Sequence, residues 1–100
     1  MIVTVFRSRL RSESGDEYAK WAERMSELVR AMPGYLSHKT FVADDGERVT
    51  LVEFESEEAQ RAWSAHPEHS RAKVLGRESF YAEYSLQVCS VIREASFVAD

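Results

Sequence analysis

The chain has 100 residues, of which 44% are hydrophobic and 30% are charged, with four glycines and two prolines. This length and composition predict one compact globular domain over residues 1–100 and exclude disordered and fibrous proteins. The formal net charge is −4, and charged residues are spread along the chain rather than collected in blocks, which argues against a nucleic-acid-binding surface.

The N-terminus and the cysteine content predict the cellular compartment. The first ten residues lack a basic region followed by an apolar stretch, and no segment is long enough to cross a bilayer. The single cysteine, Cys89, has no partner for an internal disulfide, as is usual in a reducing compartment. We therefore expect a cytoplasmic protein that does not associate with membranes.

The first half of the chain predicts a strand, a helix and a hairpin. Residues 2–10 are rich in Val, Ile, Phe and Thr, which is typical of a strand. Ser14 and Glu17 have the spacing of a capping box at the start of a helix, and Pro33-Gly34 ends that helix. Strands over 35–43 and 48–55 flank Asp44-Asp45-Gly46-Glu47, a hairpin signal. The apolar residues of the helix recur every three or four positions, on one face: Tyr18, Trp21, Ala22, Met25, Leu28, Val29 and Met32.

The second half predicts two short helices and a last strand. Ser56 is placed to cap a helix whose inner face carries Ala59, Ala62 and Trp63. His66-Pro67 interrupts this helix, because the residue before proline is disfavoured in helical conformation while proline suits the first position of a new helix. That second helix runs through Leu75, Gly76 stops it, and residues 80–93 have strand composition.

The resulting order β-α-β-β-α-β predicts an α+β fold of the ferredoxin-like type, an antiparallel sheet with both helices on one face. The core covers about 2–93, and 94–100 form a C-terminal tail. Strand alternation places Tyr81 and Tyr84 on opposite faces, so they are not expected to share a pocket. The face of the last strand with Tyr81, Gln87 and Cys89 is semi-polar, which predicts packing against a second copy and hence a homodimer.

Several motifs together resemble one family. They are Met32-Pro33-Gly34-Tyr35-Leu36, Val52-Glu53-Phe54-Glu55-Ser56-Glu57-Glu58, Trp63 with His66-Pro67-Glu68-His69, Gly76-Arg77, Phe80-Tyr81, Tyr84 and Gln87-Val88-Cys89. Over nearly the whole chain the sequence resembles the antibiotic biosynthesis monooxygenase (ABM) domain, a branch of the dimeric α+β barrel proteins. The resemblance implies a pocket between the helices and the sheet of each subunit, with Trp63 in its wall.

The resemblance also implies an activity. Members of that family include small oxidoreductases that oxidise polycyclic phenols to quinones with dioxygen and without metal or flavin, and relatives that degrade haem. The haem-degrading set of Asn, Trp and His corresponds here to Ser8, Trp63 and Lys73. The quinone-forming positions, a Tyr six residues after the tryptophan and an Asn four before it, correspond to His69 and Ala59. Neither set is complete in this chain.

We therefore expect a cofactor-independent monooxygenase acting on an aromatic or polycyclic small molecule. Such a reaction needs a base and an apolar box, and histidine titrates near neutral pH. The predicted catalytic residues are His69 and Trp63, the predicted substrate-binding residues are Phe6, Phe54 and Tyr84, and no metal is expected. The alternatives are a non-catalytic metabolite-binding or structural dimer and, third, a haem-binding or haem-degrading protein.

For individual residues the simpler explanations stay open. Trp63 also fits an ordinary core residue. His66 and His69, three apart with Pro67 between them, fit capping or solvated histidines better than a metal pair, which normally needs a third ligand. His38 is expected to be structural or exposed. Three residues form a basic side suited to an anionic substrate, although a solvated helix face explains them equally well: Arg71, Lys73 and Arg77.

Overall fold

Strands and helices alternate along the chain in the computed structural model, which describes residues 1–100. The order predicted from the sequence is confirmed, and a π-helical turn over Gly76–Phe80 joins the last helix to the last strand. The last strand ends at Ser90, so the residues from 91 onwards, rather than from 94, follow the sheet without regular structure. The elements are β1 (Ile2–Leu10), α1 (Gly15–Arg30), β2 (Tyr35–Val42), β3 (Arg48–Phe54), α2 (Glu57–Ser64), α3 (Pro67–Leu75) and β4 (Tyr81–Ser90).

The four strands form one antiparallel sheet in the order β2-β3-β1-β4, which confirms the ferredoxin-like α+β fold. The hairpin between β2 and β3 turns at Gly46, whose φ of 90° is favoured only for glycine. The side chains of Arg7 and Arg9 in β1 bind Glu47 and Asp45 of this turn at 2.7 and 2.8 Å. The turn is thereby attached to the central strand.

The helix boundaries follow local signals with two differences from the predictions. Ser56 caps α2 by accepting from the backbone N–H of Ala59 at 3.2 Å, and Pro67 is the first residue of α3, as predicted. Ser14 lies at the start of α1 but its side chain makes no capping hydrogen bond, because its backbone is already helical there. Helix α1 ends at Arg30, before Pro33-Gly34.

A small core lies where α1 and α2 cross β3. Its buried members are Val29, Phe54 and Trp63, and Phe54 is fully buried. On α2 the buried residues are Gln60 and Trp63, whereas Ala62 is exposed, so the predicted inner face is wrong by about half a helical turn at that position. Gln60 thus occupies a place in the interior that an apolar residue was expected to fill.

The sheet face opposite the helices is uncovered in the single subunit. Strand alternation places Val3, Val5, Val49, Leu51 and Phe41 on this outer face. Cys89 pairs with Val3 on the same face and is half-buried. No helix of the chain is long and apolar enough to cross a membrane.

Two glycines with similar backbone angles give a matched prediction for stability. Gly34 has φ 83° and a side chain added there would lie 2.6 Å from the Cβ of Ala59, whereas Gly46 has φ 90° and nothing within 4 Å. We expect Gly46→Ala to lower the free energy of unfolding by about 1–2 kcal/mol through backbone strain alone. Gly34→Ala adds the cost of overpacking, about 1–3 kcal/mol more.

Urea unfolding of the two variants beside the unaltered protein measures the difference. Equal losses of stability at the two positions would contradict the close contact between the turn after α1 and the first turn of α2.

Candidate functional site

A cavity of about 400 Å³ lies between the helices and the sheet. Its walls come from α1, α2 and α3, and its floor from all four strands, so the pocket implied by the resemblance is present. Tyr84 and Leu86 of the edge strand β4 line it while remaining 38% and 48% exposed, so the cavity opens along that strand. Its size is in the range of sites for small organic ligands.

The floor of the cavity consists of cross-strand rows with different chemistry. In one row Ser8 of β1 lies between Arg48 of β3 and Tyr84 of β4. The next row has Phe6 between Thr50 and Leu86, and the third has Thr4 between Val52 and Val88. Since a strand rises about 3.3 Å per residue, the first and third rows are about 13 Å apart. The floor therefore changes from cationic and polar to apolar along its length.

His69 of α3 stands over the apolar end of the cavity, against Trp63. The two rings are stacked, with centroids 4.2 Å apart and planes 13° apart. His69 Nδ1 lies 2.9 Å from the backbone oxygen of Trp63, and because a carbonyl only accepts, Nδ1 carries the proton. In the neutral ring Nε2 is then unprotonated and basic. Burial lowers the pKa of His69, and the nearby charge of Lys73 adds to this, so the ring is neutral at pH 7.

Trp63 serves the core and the cavity at once. Its side chain is 7% exposed, belongs to the buried cluster with Val29 and Phe54, and also lines the cavity. The break at His66-Pro67 turns α3 back so that His69 reaches the indole. Packing behind the indole ring leaves it little freedom to move, and it therefore fixes the position of the imidazole that stacks on it.

Two polar side chains of this end were missed in the sequence analysis. Gln60 is 8% exposed, lines the cavity three residues before Trp63, and its side-chain amide bonds no other protein group. Thr4 is also 8% exposed, and its Oγ1 is buried without a hydrogen-bond partner. A buried polar group is normally satisfied, so the unpartnered Thr4 Oγ1 points to a ligand or water in the cavity, which the Gln60 side chain also lines. Placing the polar residues of α2 on a helical wheel from Ser56 would have found Gln60.

The other end of the cavity is aromatic. Tyr81 and Tyr84 both line it, with ring centroids 5.7 Å apart, so the expectation that they face opposite ways is wrong. The register of β1 with β4 shifts between Arg9 and Leu10, which brings Tyr81 round to the helix side. The π-helical turn supports this arrangement, since a side chain at Gly76 would lie 2.7 Å from the Tyr81 ring. Burial raises the pKa of Tyr81, which stays protonated.

The charges around the cavity are all positive. Its lining includes Arg48, Lys73 and Arg77 but none of the 17 acidic residues of the chain. Lys73 donates to the carbonyl and hydroxyl oxygens of Ser64, both at 2.8 Å, and so fastens α3 to the end of α2. Arg77 donates to the hydroxyl of Tyr84 at 2.7 Å. Arg71 does not reach the cavity, so the predicted basic side is only partly directed toward it.

The remaining predicted site residues are divided between the cavity and the core. Phe6 lines the cavity and packs against Tyr81 and Tyr84 at 5.4 and 5.5 Å. Phe54 does not line it, because it is fully buried in the core cluster with Trp63, and its predicted contact with substrate is corrected. Ala59 packs against Gly34 and is likewise absent from the cavity lining. Ser8 and Lys73, at the positions of the haem-degrading set, both line the cavity.

The other histidines have structural partners. His66 accepts from the backbone N–H of Glu68 at 3.1 Å and caps α3, one of the explanations left open above. His38 lines the cavity, with its two ring nitrogens 2.6 Å from the Tyr35 hydroxyl and 3.2 Å from the Ser26 hydroxyl. No group of three or more His, Cys, Asp or Glu side chains is placed to hold a metal ion.

The geometry predicts the protonation state of His69. We expect the Nδ1–H tautomer at pH 7.5 and a titration midpoint below 6.5, since burial disfavours the imidazolium. The folded pKa lies below the unfolded value, so the contribution of His69 to stability is complete above about pH 6.5 and is lost as the pH falls toward the folded pKa. Long-range proton–nitrogen NMR spectra across this pH range measure both properties. A midpoint above 6.5 or an Nε2–H tautomer would contradict the arrangement.

Comparison with known proteins adds relatives of the same fold. The chain is 34% identical over 93 residues to protein YqjZ of Bacillus subtilis (strain 168), itself uncharacterized, covering 93% of this chain and 82% of the relative. An antibiotic biosynthesis monooxygenase-like protein from Deinococcus radiodurans superposes with a TM-score of 0.85 at 10% identity, covering 99% of this chain and 100% of that one. SnoaB, a cofactor-independent oxygenase from Streptomyces nogalater, gives 0.78 at 15% identity over 93% and 94% of the two chains.

The family-level match is direct. The family model for antibiotic biosynthesis monooxygenase matches residues 1–74, which include β1, both strands of the hairpin, α1, α2 and most of α3. Trp63 and His69, whose rings stack on each other in the cavity wall, lie within the matched part. The chain therefore belongs to the antibiotic biosynthesis monooxygenase family.

Proposed function

We propose that the protein is a cofactor-independent monooxygenase that oxidises an aromatic, polycyclic phenol or anthrone with dioxygen. The observation that carries this proposal is the basic Nε2 of His69, held in an apolar cavity beside Trp63 by a hydrogen bond from Nδ1 to a backbone carbonyl. A base of this kind stays unprotonated at neutral pH and is available to a substrate proton. The family match and the likeness to SnoaB support the same reaction class.

The proposed reaction uses the residues at the apolar end. His69 takes the acidic proton of the substrate, and the resulting carbanion or phenolate is electron-rich enough to reduce dioxygen. A carbon–oxygen bond forms to give a hydroperoxide, and His69 returns the proton. Loss of water then leaves a carbonyl, so that a CH₂ group and O₂ become C=O and H₂O. The aromatic walls exclude bulk water from the reactive anion.

Gln60 has the chemistry to assist this step. Its amide lies in the cavity three residues before Trp63 and has no protein partner, so its N–H groups are free to donate to a developing oxyanion. A donor that needs no reorganisation stabilises negative charge best in a water-poor site. The quinone-forming relatives carry an asparagine amide at the position of Ala59, one residue before Gln60. We propose that Gln60 takes over the function of that amide.

A second candidate function is ligand binding without turnover. Two observations favour it. Packing in the core is sufficient to explain Trp63, and Ala59 stands where the quinone-forming set has an amide. Under this alternative the same cavity holds a metabolite in a structural or carrier dimer. Substrate oxidation, described below, separates the two. An absorbance titration with haem tests the third alternative, a haem-binding protein.

We further propose that two subunits form a homodimer through the outer face of the sheet, in the cytoplasm. Valine, leucine and phenylalanine side chains occupy the centre of this face, and only eight of the 100 residues of the subunit are buried. Such a face is costly to leave in water, and its two-fold association is what the resemblance to dimeric α+β barrels implies. The cavity lies on the other side of the sheet and stays open.

Oxygen consumption with anthrone and hydroquinone substrates tests the activity. We expect His69→Gln to lower kcat by about 100-fold or more through loss of the base, and Gln60→Leu to lower it by about 100-fold through loss of the oxyanion donor. The matched control is His66→Asn, because Asn also caps a helix and position 66 does not line the cavity. Its rate should be unchanged.

Two outcomes would contradict the proposed activity. One is an unaltered rate in His69→Gln, which would remove the base from the reaction. The other is saturable binding of these compounds with no oxygen uptake by the unaltered protein, which would establish the ligand-binding alternative.

Sedimentation velocity at micromolar concentration tests the dimer. We expect the unaltered protein to sediment as a dimer and Leu51→Lys to sediment as a monomer, since the lysine places a charge in the middle of the outer face. The control Ala19→Lys adds the same charge to the exposed surface of α1 and should leave the dimer intact. A folded monomer in the unaltered protein would overturn the proposed assembly.

A further inference from the structure

One row of the cavity floor has the composition of an anion-binding site. Arg48, Ser8 and Tyr84 lie side by side on three adjacent strands and all line the cavity. Neighbouring strands are about 4.8 Å apart, so the three side chains span about 10 Å across the sheet. Their polar groups are a guanidinium and two hydroxyls, which are the groups that bind carboxylates in proteins.

Arg48 has no counter-ion within the subunit. Its side chain takes part in no ion pair or hydrogen bond, and the nearest described contact of that side chain is the Tyr18 ring, 5.8 Å from the guanidinium carbon. Arg7 and Arg9, by contrast, pair with carboxylates on the outer face. The cation–π contact with Tyr18 stabilises the half-buried guanidinium in part, and without a carboxylate partner the cation remains available to a ligand that supplies negative charge.

The two hydroxyls of the row are free to donate to an anion. Ser8 is 4% exposed, lines the cavity, and its hydroxyl has no protein partner. The hydroxyl of Tyr84 accepts from Arg77 Nε at 2.7 Å, so its own proton points elsewhere and remains available. None of the 17 acidic residues lines the cavity, and the two that share an adjoining groove with Ser8 and Tyr84, Glu47 and Glu83, are paired with Arg7 and Arg9.

We infer that the cavity takes a flat apolar ligand bearing a carboxylate or comparable acid group, which binds the row of Arg48, Ser8 and Tyr84. The orientation of the ligand rests on the proposed function, whereas its binding at this row does not. With the acid group at this row, the apolar body lies over Phe6 and reaches the row of Thr4 about 13 Å away, near His69 and Gln60. The acid group therefore selects which ring of the ligand is presented to the base.

Binding of anthracene-2-carboxylate and of anthracene-2-carboxamide, which have the same shape and differ in charge, tests the inference by fluorescence titration at pH 7.5. We expect the carboxylate to bind the unaltered protein at least about tenfold more tightly than the amide. Arg48→Met should remove this preference by weakening carboxylate binding about tenfold while leaving the amide unaffected. Arg48→Lys should restore part of it, because the charge remains but the paired donors are lost.

Arg71→Met is the matched control, since it removes a positive charge from α3 outside the cavity. It should leave both affinities unchanged. Equal affinity of the two probes, a loss of the same size in Arg71→Met, or failure of both probes to bind would overturn the inference. Oxygen uptake is not part of this measurement, so a protein that binds the acid selectively without oxidising anthrones would contradict the proposed reaction and leave the acid-binding row in place.

Discussion

The register of β1 with its two neighbours is the constraint on which the site depends. β1 pairs with β3 on one side and with β4 on the other, and alternation along it directs Thr4, Phe6 and Ser8 toward the helices. A shift by one residue would direct Val3, Val5 and Arg7 toward the helices instead. Side chains that now lie on the outer face of the sheet would then form the cavity floor. The ion pairs from Arg7 and Arg9 to the β2–β3 turn oppose such a shift, because they hold the partner strand at one position.

The helices add the chemistry that the sheet lacks. The interruption at His66-Pro67 sets α3 at an angle to α2, which places the imidazole of His69 in α3 on the indole of Trp63 in α2. Lys73 then joins the end of α2 to α3 through the two oxygens of Ser64, so hydrogen bonds from His69 and Lys73 to the last turn of α2 maintain the angle. The base is thus positioned by the backbone oxygen of Trp63 and by the indole ring on which it stacks.

Much of the fold followed from local sequence signals. The span of β1, the Asp-Gly hairpin, the Ser56 cap and the Pro67 start were predicted because each depends on residues adjacent in sequence. The missing cap at Ser14 shows the limit of such signals, since backbone conformation overrode a suitable side chain. Within the site, Trp63, His69, Phe6 and Tyr84 all line the cavity, and their roles there stay predictions.

What the sequence did not predict depends on contacts between distant segments. Tyr81 joins Tyr84 only because β4 gains a residue relative to β1, which no local pattern indicates. Phe54 was expected to contact substrate but lies in the core, and Gln60, for which no position was predicted, lines the cavity, since the crossing of α2 over β3 decides which side chain meets the core and which meets the cavity. Arg48 was overlooked because a cation at the start of a strand resembles any solvent-facing residue until its neighbours are known.

The π-helical turn at Gly76–Phe80 makes the length of the α3–β4 connection part of the cavity's shape. A π turn holds one more residue than an α turn, so a deletion of a single amino acid in this stretch would restore ordinary helical winding. The Tyr81 ring, which packs against Gly76 of this turn, would then lose part of its support, and this end of the cavity would change shape. A change of length at this joint would therefore alter the breadth of the ligand that the cavity accepts.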